Sequence, residues 1–252
     1  MLYVVGLGPG SKELMTEEAR QVIENTHTIV GYATYVRLIE DMIEGKELVV
    51  TGMRGEIERC KKALEIAATG KDVAIISSGD AGIYGMAGLV LELAGKMDTH
   101  IDVKVIPGVT ASIAAAAHLG APLMNDFCHI SLSDLMTPWD VITERVDAAA
   151  KADFVICLYN PRSKGRPHHL RKALDIILKY KSPDTVVGIG KDVARPKEID
   201  KVTTIKDLDE TEINMTSIVI VGNKNTYVED GRMITPRGYT LGFFYWVELQ
   251  KA

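Results

Sequence analysis

The chain has 252 residues, 46% of them apolar and 25% charged, with a formal net charge of −5. At roughly 100–200 residues per domain this fits one large or two small globular domains, and the acidic balance disfavours wholesale nucleic-acid binding, which wants a basic surface. No segment approaches the ~20 consecutive apolar residues of a membrane helix, and the opening MLYVVGLGPG lacks the basic n-region of a signal peptide, so a cytoplasmic protein without a membrane partner is expected.

Tyr3 to Val5 reads as a buried strand that ends at glycines. Thr16 reads as an N-cap, with Glu17 and Glu18 in the first helical turn, where the helix dipole favours anions, and with Ala19, Val22 and Ile23 as the apolar face. Strands follow over Thr28 to Val30 and Leu48 to Val50, then a helix over Glu56 to Ala68 closed by Gly70. Val73 to Ile76 runs into SSGD, Val103 to Ile106 runs into PGVT, and an alanine-rich helix over Ala111 to Leu119 stops at Gly120. This alternation implies βαβ units and a mostly parallel sheet. After Gly120 the β content rises: strands are expected over Cys128 to Leu132, Phe154 to Leu158, Val186 to Ile189 and Ile218 to Val221, with a helix over His168 to Lys179 and a hairpin-like tail. The expected organisation is therefore two α/β domains, 1–120 and 121–252.

Three glycine-rich turns close three early strands: GLGPG (Gly6 to Gly10), SSGDAGIYG (Ser77 to Gly85) and PGVTA (Pro107 to Ala111). In an open α/β sheet ligands bind outside the carboxyl ends of the strands, and glycine lets the backbone approach them closely. One such turn is usually only a turn; three together point to a shared ligand cleft. Gly6 and Gly8 begin a dinucleotide fingerprint, but Ser11 holds the third glycine position and the second strand ends at Val30-Gly31-Tyr32 without a ribose-binding carboxylate. A nicotinamide oxidoreductase is thus disfavoured. Asp80 admits two readings, a turn residue bonded to its own backbone or a ligand-facing carboxylate.

Arg162 to Lys172, RSKGRPHHLRK, carries five basic residues and no acid. It reads either as a solvated face or as a basic rim for a polycarboxylate, since arginine grips carboxylates bidentately. In NDFCHISLSD, Asn125 to Asp134, strand alternation puts His129, Ser131 and Ser133 on one face and Ile130 and Leu132 on the other. That face is either the wet side of an edge strand or a pocket wall able to move protons. Cys60, Cys128 and Cys157 form no CxxC pair and no HExxH is present, so no protein-built metal site is expected.

Taken together, GLGPG, GDAGIYGMAG and VIPGVTA resemble the SAM-dependent tetrapyrrole methylases over nearly the whole chain. SSGDAGIYGMA, NDFCHISLSDLMTPW and LYNPRSKGRP resemble the branch that methylates carbon 17 and contracts the macrocycle, in which Ala81 stands for the more usual proline of the GDP turn. The resemblance implies a two-domain, non-Rossmann fold of the class III methyltransferase type with S-adenosylmethionine (SAM) between the domains, S-adenosylhomocysteine as a product, and a homodimer. It implies SAM contacts at Pro9, Ser78, Gly79, Asp80, Ile83, Thr110 and Ala111, and from the second domain at Leu158, Tyr159, Asn160, Gly190 and Thr216. Arg162, Lys164 and Arg166 are the expected holders of the tetrapyrrole carboxylates; Asp126, His129, Ser131 and Asp134 are the candidates for proton handling. Methyl transfer to an electron-rich carbon needs alignment and water exclusion more than a nucleophilic residue. The rivals are a precorrin methylase acting at another carbon, a diphthine synthase, an oxidoreductase and a binding protein without chemistry.

Overall fold

The structure, a computed structural model, describes residues 1–239; the last residues of the expected second domain, 240–252, lie outside the described residues. Two compact units form: Met1–Ala114 with Asp192–Ile199, and Ala115–Lys191 with the chain from Asp200 onward. The short stretch Asp192–Ile199 thus belongs to the first unit, although it lies far along the chain.

In the first unit the elements run β1 (Leu2–Gly6), α1 (Glu17–Asn25), β2 (Thr28–Tyr32), α2 (Ala33–Val36), β3 (Glu47–Thr51), α3 (Glu56–Ala68), β4 (Val73–Ser77), α4 (Ala87–Ala94), β5 (Val103–Ile106) and the start of α5 (Ala111–Leu119). The five strands form one sheet in the order β3-β2-β4-β1-β5, with all four neighbouring pairs parallel. Alternate strand residues supply two cores. Leu2, Val4, Val73 and Ile75 pack with Cys60, Ala63 and Leu64 of α3 on one face; Val5, Ala74 and Ile76 pack with Ala19 and Ile23 of α1 on the other. Thr16 caps α1 as expected, its Oγ1 accepting from the Ala19 N–H at 3.2 Å.

The second unit holds β6 (Gly120–Ala121), β7 (Phe127–Ser131), α6 (Trp139–Lys151), β8 (Val155–Tyr159), α7 (His169–Ile177), β9 (Val186–Lys191), β10 (Ile199–Thr204), β11 (Ser217–Val221), β12 (Tyr227–Glu229) and β13 (Arg232–Ile234). Its main sheet runs β10-β9-β11-β8-β7. Here β11 is antiparallel to both β8 and β9, while β7 and β8 are parallel. The carboxyl ends of β7, β8 and β9 therefore share one sheet edge with the start of β11. The core beneath joins Ile142, Val146 and Ala150 of α6 to Leu170, Leu174 and Ile177 of α7 and to the strands. A buried Lys181, just after α7, donates to Asp153 at 2.8 Å and to the Phe154 carbonyl at 3.1 Å, fastening the helix end to the start of β8.

Five of these elements were not read from the sequence: α2, α4, β6, α6 and β10. In α4, AGLVLELA is apolar on nearly every side, so no 3.6-residue stripe stands out. In α6 the buried Ile142, Val146 and Ala150 do keep helical spacing, but the β-branched Val, Ile and Thr weaken the local helix signal.

Candidate active site

In the first sheet β1 lies between β4 and β5, so the three glycine turns at their carboxyl ends become neighbours. They are bonded to one another. Gly8 and Gly79 exchange backbone hydrogen bonds at 3.1 and 2.7 Å. Gly8 makes this turn at φ +78°, and a Cβ on Gly108 would stand 2.3 Å from the Gly79 carbonyl oxygen. Asp80 completes the stitching: Oδ1 accepts from the N–H groups of Gly82 (2.8 Å) and Ile83 (3.1 Å), and Oδ2 accepts from Gly108 N–H at 2.9 Å. Its carboxylate thus holds the second and third turns in register.

Pro9, Ser78, Gly79, Asp80, Ile83, Thr110 and Ala111 are in this way gathered at one edge of the first unit. A residue the sequence reading missed belongs with them. Arg195 donates through Nε to the Pro9 carbonyl at 2.9 Å and through its terminal nitrogen to Ser78 Oγ at 3.0 Å. Its side chain also lies where a Cβ on Gly10 would fall, 2.5 Å from the Arg195 Cγ. No local signal marks Arg195; only the return of Asp192–Ile199 to this unit brings it here.

The second set of expected residues gathers at the shared edge of the second sheet. Leu158 and Tyr159 end β8, Gly190 lies near the end of β9 opposite Ile218, and Thr216 immediately precedes β11. Asn160 takes a left-handed backbone at φ +51° just past β8, and its Nδ2 donates to Ser131 Oγ at 3.0 Å. His129 is half-buried, with the Tyr159 ring at 5.2 Å and the Phe127 ring at 5.6 Å, and burial pushes its pKa below the usual 6.5. Ile130 and Leu132 are buried, as the alternation requires. Asp126 does not join this group. It is exposed just before β7, roughly 16 Å of strand away from Ser131 by the ordinary rise per residue.

The basic segment divides three ways. Ser163 and Arg166 exchange backbone hydrogen bonds, closing a tight turn that leaves Lys164 exposed at its tip. Arg162 donates to the carbonyls of Pro167 (3.3 Å) and Ile213 (3.4 Å), bracing the turn. Arg166 points inward and is only 7% exposed. It donates to Ser133 Oγ at 2.8 Å and to the Met215 sulfur at 3.3 Å, while its Nε is buried without a hydrogen-bond partner. The Asp134 carboxylate stands 4.0 Å off and is bonded instead to His169 at 3.0 Å. That bond, with a smaller contribution from Arg166, holds the Asp134 carboxyl below its ordinary range. A buried guanidinium so sparsely matched suits an incoming anion.

A family model described as tetrapyrrole (corrin/porphyrin) methylases matches residues 1–209. The chain is 58% identical over 241 residues to a probable cobalt-factor III C(17)-methyltransferase of Salmonella typhimurium, covering 96% of this chain and 100% of that protein. It is 39% identical over 249 residues to a precorrin-3B C(17)-methyltransferase of a Sinorhizobium species, covering 94% and 96%. Two further relatives are longer, and the chain spans about half of each. Among solved structures, that of the methyltransferase CobJ superposes with a TM-score of 0.89 at 37% identity, covering 93% of this chain and 99% of the other. No helix among the described residues is long and apolar enough to cross a membrane.

Proposed function

The chain belongs to the tetrapyrrole (corrin/porphyrin) methylases, and from that premise we propose that it methylates carbon 17 of cobalt-factor III, with SAM as donor and contraction of the macrocycle. The observation that carries this reading is the full-length likeness to the Salmonella protein, which exceeds the likeness to the precorrin-3B enzyme. On this reading the protein acts in the cytoplasm, as a homodimer, on a free tetrapyrrole.

The first-unit residues suit a donor held mainly by backbone. Their three turns are glycine-rich, and Asp80 and Arg195 fix them in place, so the groups of Pro9, Ser78, Gly79, Ile83, Thr110 and Ala111 are set before a ligand arrives. Leu158, Tyr159, Asn160, Gly190 and Thr216 are the second-unit contacts we assign to SAM. SAM supplies an activated methyl group, so the residues need only orient the acceptor and keep water out. Arg166 binds a carboxylate of the tetrapyrrole, with Lys164 at the exposed tip of the turn and Arg162 bracing it. His129, neutral through burial, and Ser131 line the strand face we assign to proton handling, with Asp134 beyond them.

The test is an anaerobic incubation of the protein with SAM and either cobalt-factor III or precorrin-3B, followed by mass spectrometry and absorption spectroscopy. One added methyl and the spectrum of a contracted ring are expected with the cobalt substrate. The same change with precorrin-3B alone would assign the metal-free substrate. SAM binding without methyl transfer to either would rule out this acceptor.

A further inference from the structure

Asp134 and Arg166 would ordinarily close into a short, charge-assisted pair at about 2.8 Å. Here they stay at 4.0 Å, while Asp134 Oδ2 lies 3.0 Å from His169 Nε2. The imidazole is itself held edge-on by the Trp139 ring, at 4.3 Å between centroids. Trp139 opens α6 and His169 opens α7, and the apolar residues of these two helices share one core. The histidine is therefore held in place, and the aspartate is hydrogen-bonded to it and not to the arginine. The buried guanidinium thus has one hydroxyl and one thioether as hydrogen-bond acceptors, an Nε without a partner, and Asp134 only as an ion-pair partner at 4.0 Å, with no carboxylate hydrogen-bonded to it.

We propose that His169 is a positioning residue that holds Asp134 off Arg166, keeping the guanidinium open for a carboxylate of the tetrapyrrole. The inference rests on the functional reading above. Without the imidazole, the Asp134 carboxylate needs to move only about 1 Å to satisfy Arg166 and take the place of the substrate's carboxylate.

The test is equilibrium binding of cobalt-factor III to the full-length protein with S-adenosylhomocysteine present, so that no turnover occurs. His169→Ala should weaken tetrapyrrole binding about tenfold and leave SAM affinity unchanged, because a competing internal anion now occupies the site. His169→Gln, whose amide can still donate to Asp134, should bind nearly as the wild type does. Asp134→Asn alone should bind at least as well as the wild type, and added to His169→Ala it should restore binding. Arg166→Ala marks complete loss of the anchor. Unchanged binding in His169→Ala, a loss that Asp134→Asn does not reverse, or weaker binding in Asp134→Asn alone would each overturn the proposal. A wild-type protein that binds no tetrapyrrole would instead overturn the functional reading.

Discussion

His129 shows how one side chain takes its chemistry from its neighbours. It sits on a strand face between two aromatic rings, and burial there penalises the imidazolium more than the neutral ring. The imidazole should therefore stay neutral at pH 7, able to donate through one nitrogen and accept through the other. A nuclear magnetic resonance titration should place its midpoint below 6.5, and a midpoint at or above that value would contradict the burial argument. The same shift gives a sign for stability. The unfolded chain takes up this proton first, so the stability linked to His129 is present above pH 6.5 and is lost as pH falls through the folded midpoint. Asp80 makes the complementary case. Both of its oxygens accept backbone N–H bonds, one oxygen within its own turn and the other from a neighbouring turn that the local sequence did not suggest. Cys157, buried in β8, has its thiol pushed well above the ordinary range by the same desolvation, and it should be inert to alkylation in the folded protein.

At the level of elements, the turns after β1, β4 and β5 behave as one object because the strand order makes them adjacent. Gly108 is the tightest point. A methyl group there meets a backbone carbonyl rather than a yielding side chain, so Gly108→Ala should cost about 1–3 kcal/mol through overpacking. The measurement is a chemical denaturation midpoint together with SAM affinity. A fully stable variant with wild-type affinity would show that the turns can part without consequence. Strands and capped helices with a clear apolar period were legible beforehand, down to the Thr16 cap, because period and cap chemistry are local. The adjacency of the turns was not written locally; it follows from β1 inserting between β4 and β5. The same limit applies to the basic segment. Its charges were visible, but not that a tight turn would expose Lys164, employ Arg162 as a brace and bury Arg166. The paired histidines were visible too, yet the role of His169 depends on Trp139 and Asp134, which reach it only through the packing of two helices and the end of a strand.

For the molecule as a whole, the informative feature is the route of the chain. It leaves the second unit after β9, contributes Asp192–Ile199 to the first, and resumes at β10. That excursion supplies Arg195, whose two hydrogen bonds tie Pro9 to Ser78. Removing a charged donor from such a pair forfeits about 1.5–3 kcal/mol, so Arg195→Ala should raise the Kd for SAM by about tenfold or more in calorimetric titration. An unchanged Kd would release the first two turns from any role in holding the donor. The family and its broad chemistry were readable because glycine turns leave short, regular traces in sequence. A single arginine arriving from far along the chain leaves none.

The interleaved route also bears on how such enzymes can be recombined. A chimera joined once, at the middle of α5, would take its first glycine turns from one parent and the arginine that clasps them from the other. Donor-site properties would not travel with the amino-terminal half alone. Exchanging them between relatives as a unit requires a second graft, Asp192 to Ile199, and lineages that swapped halves at a single crossover would have had to rebuild that clasp residue by residue.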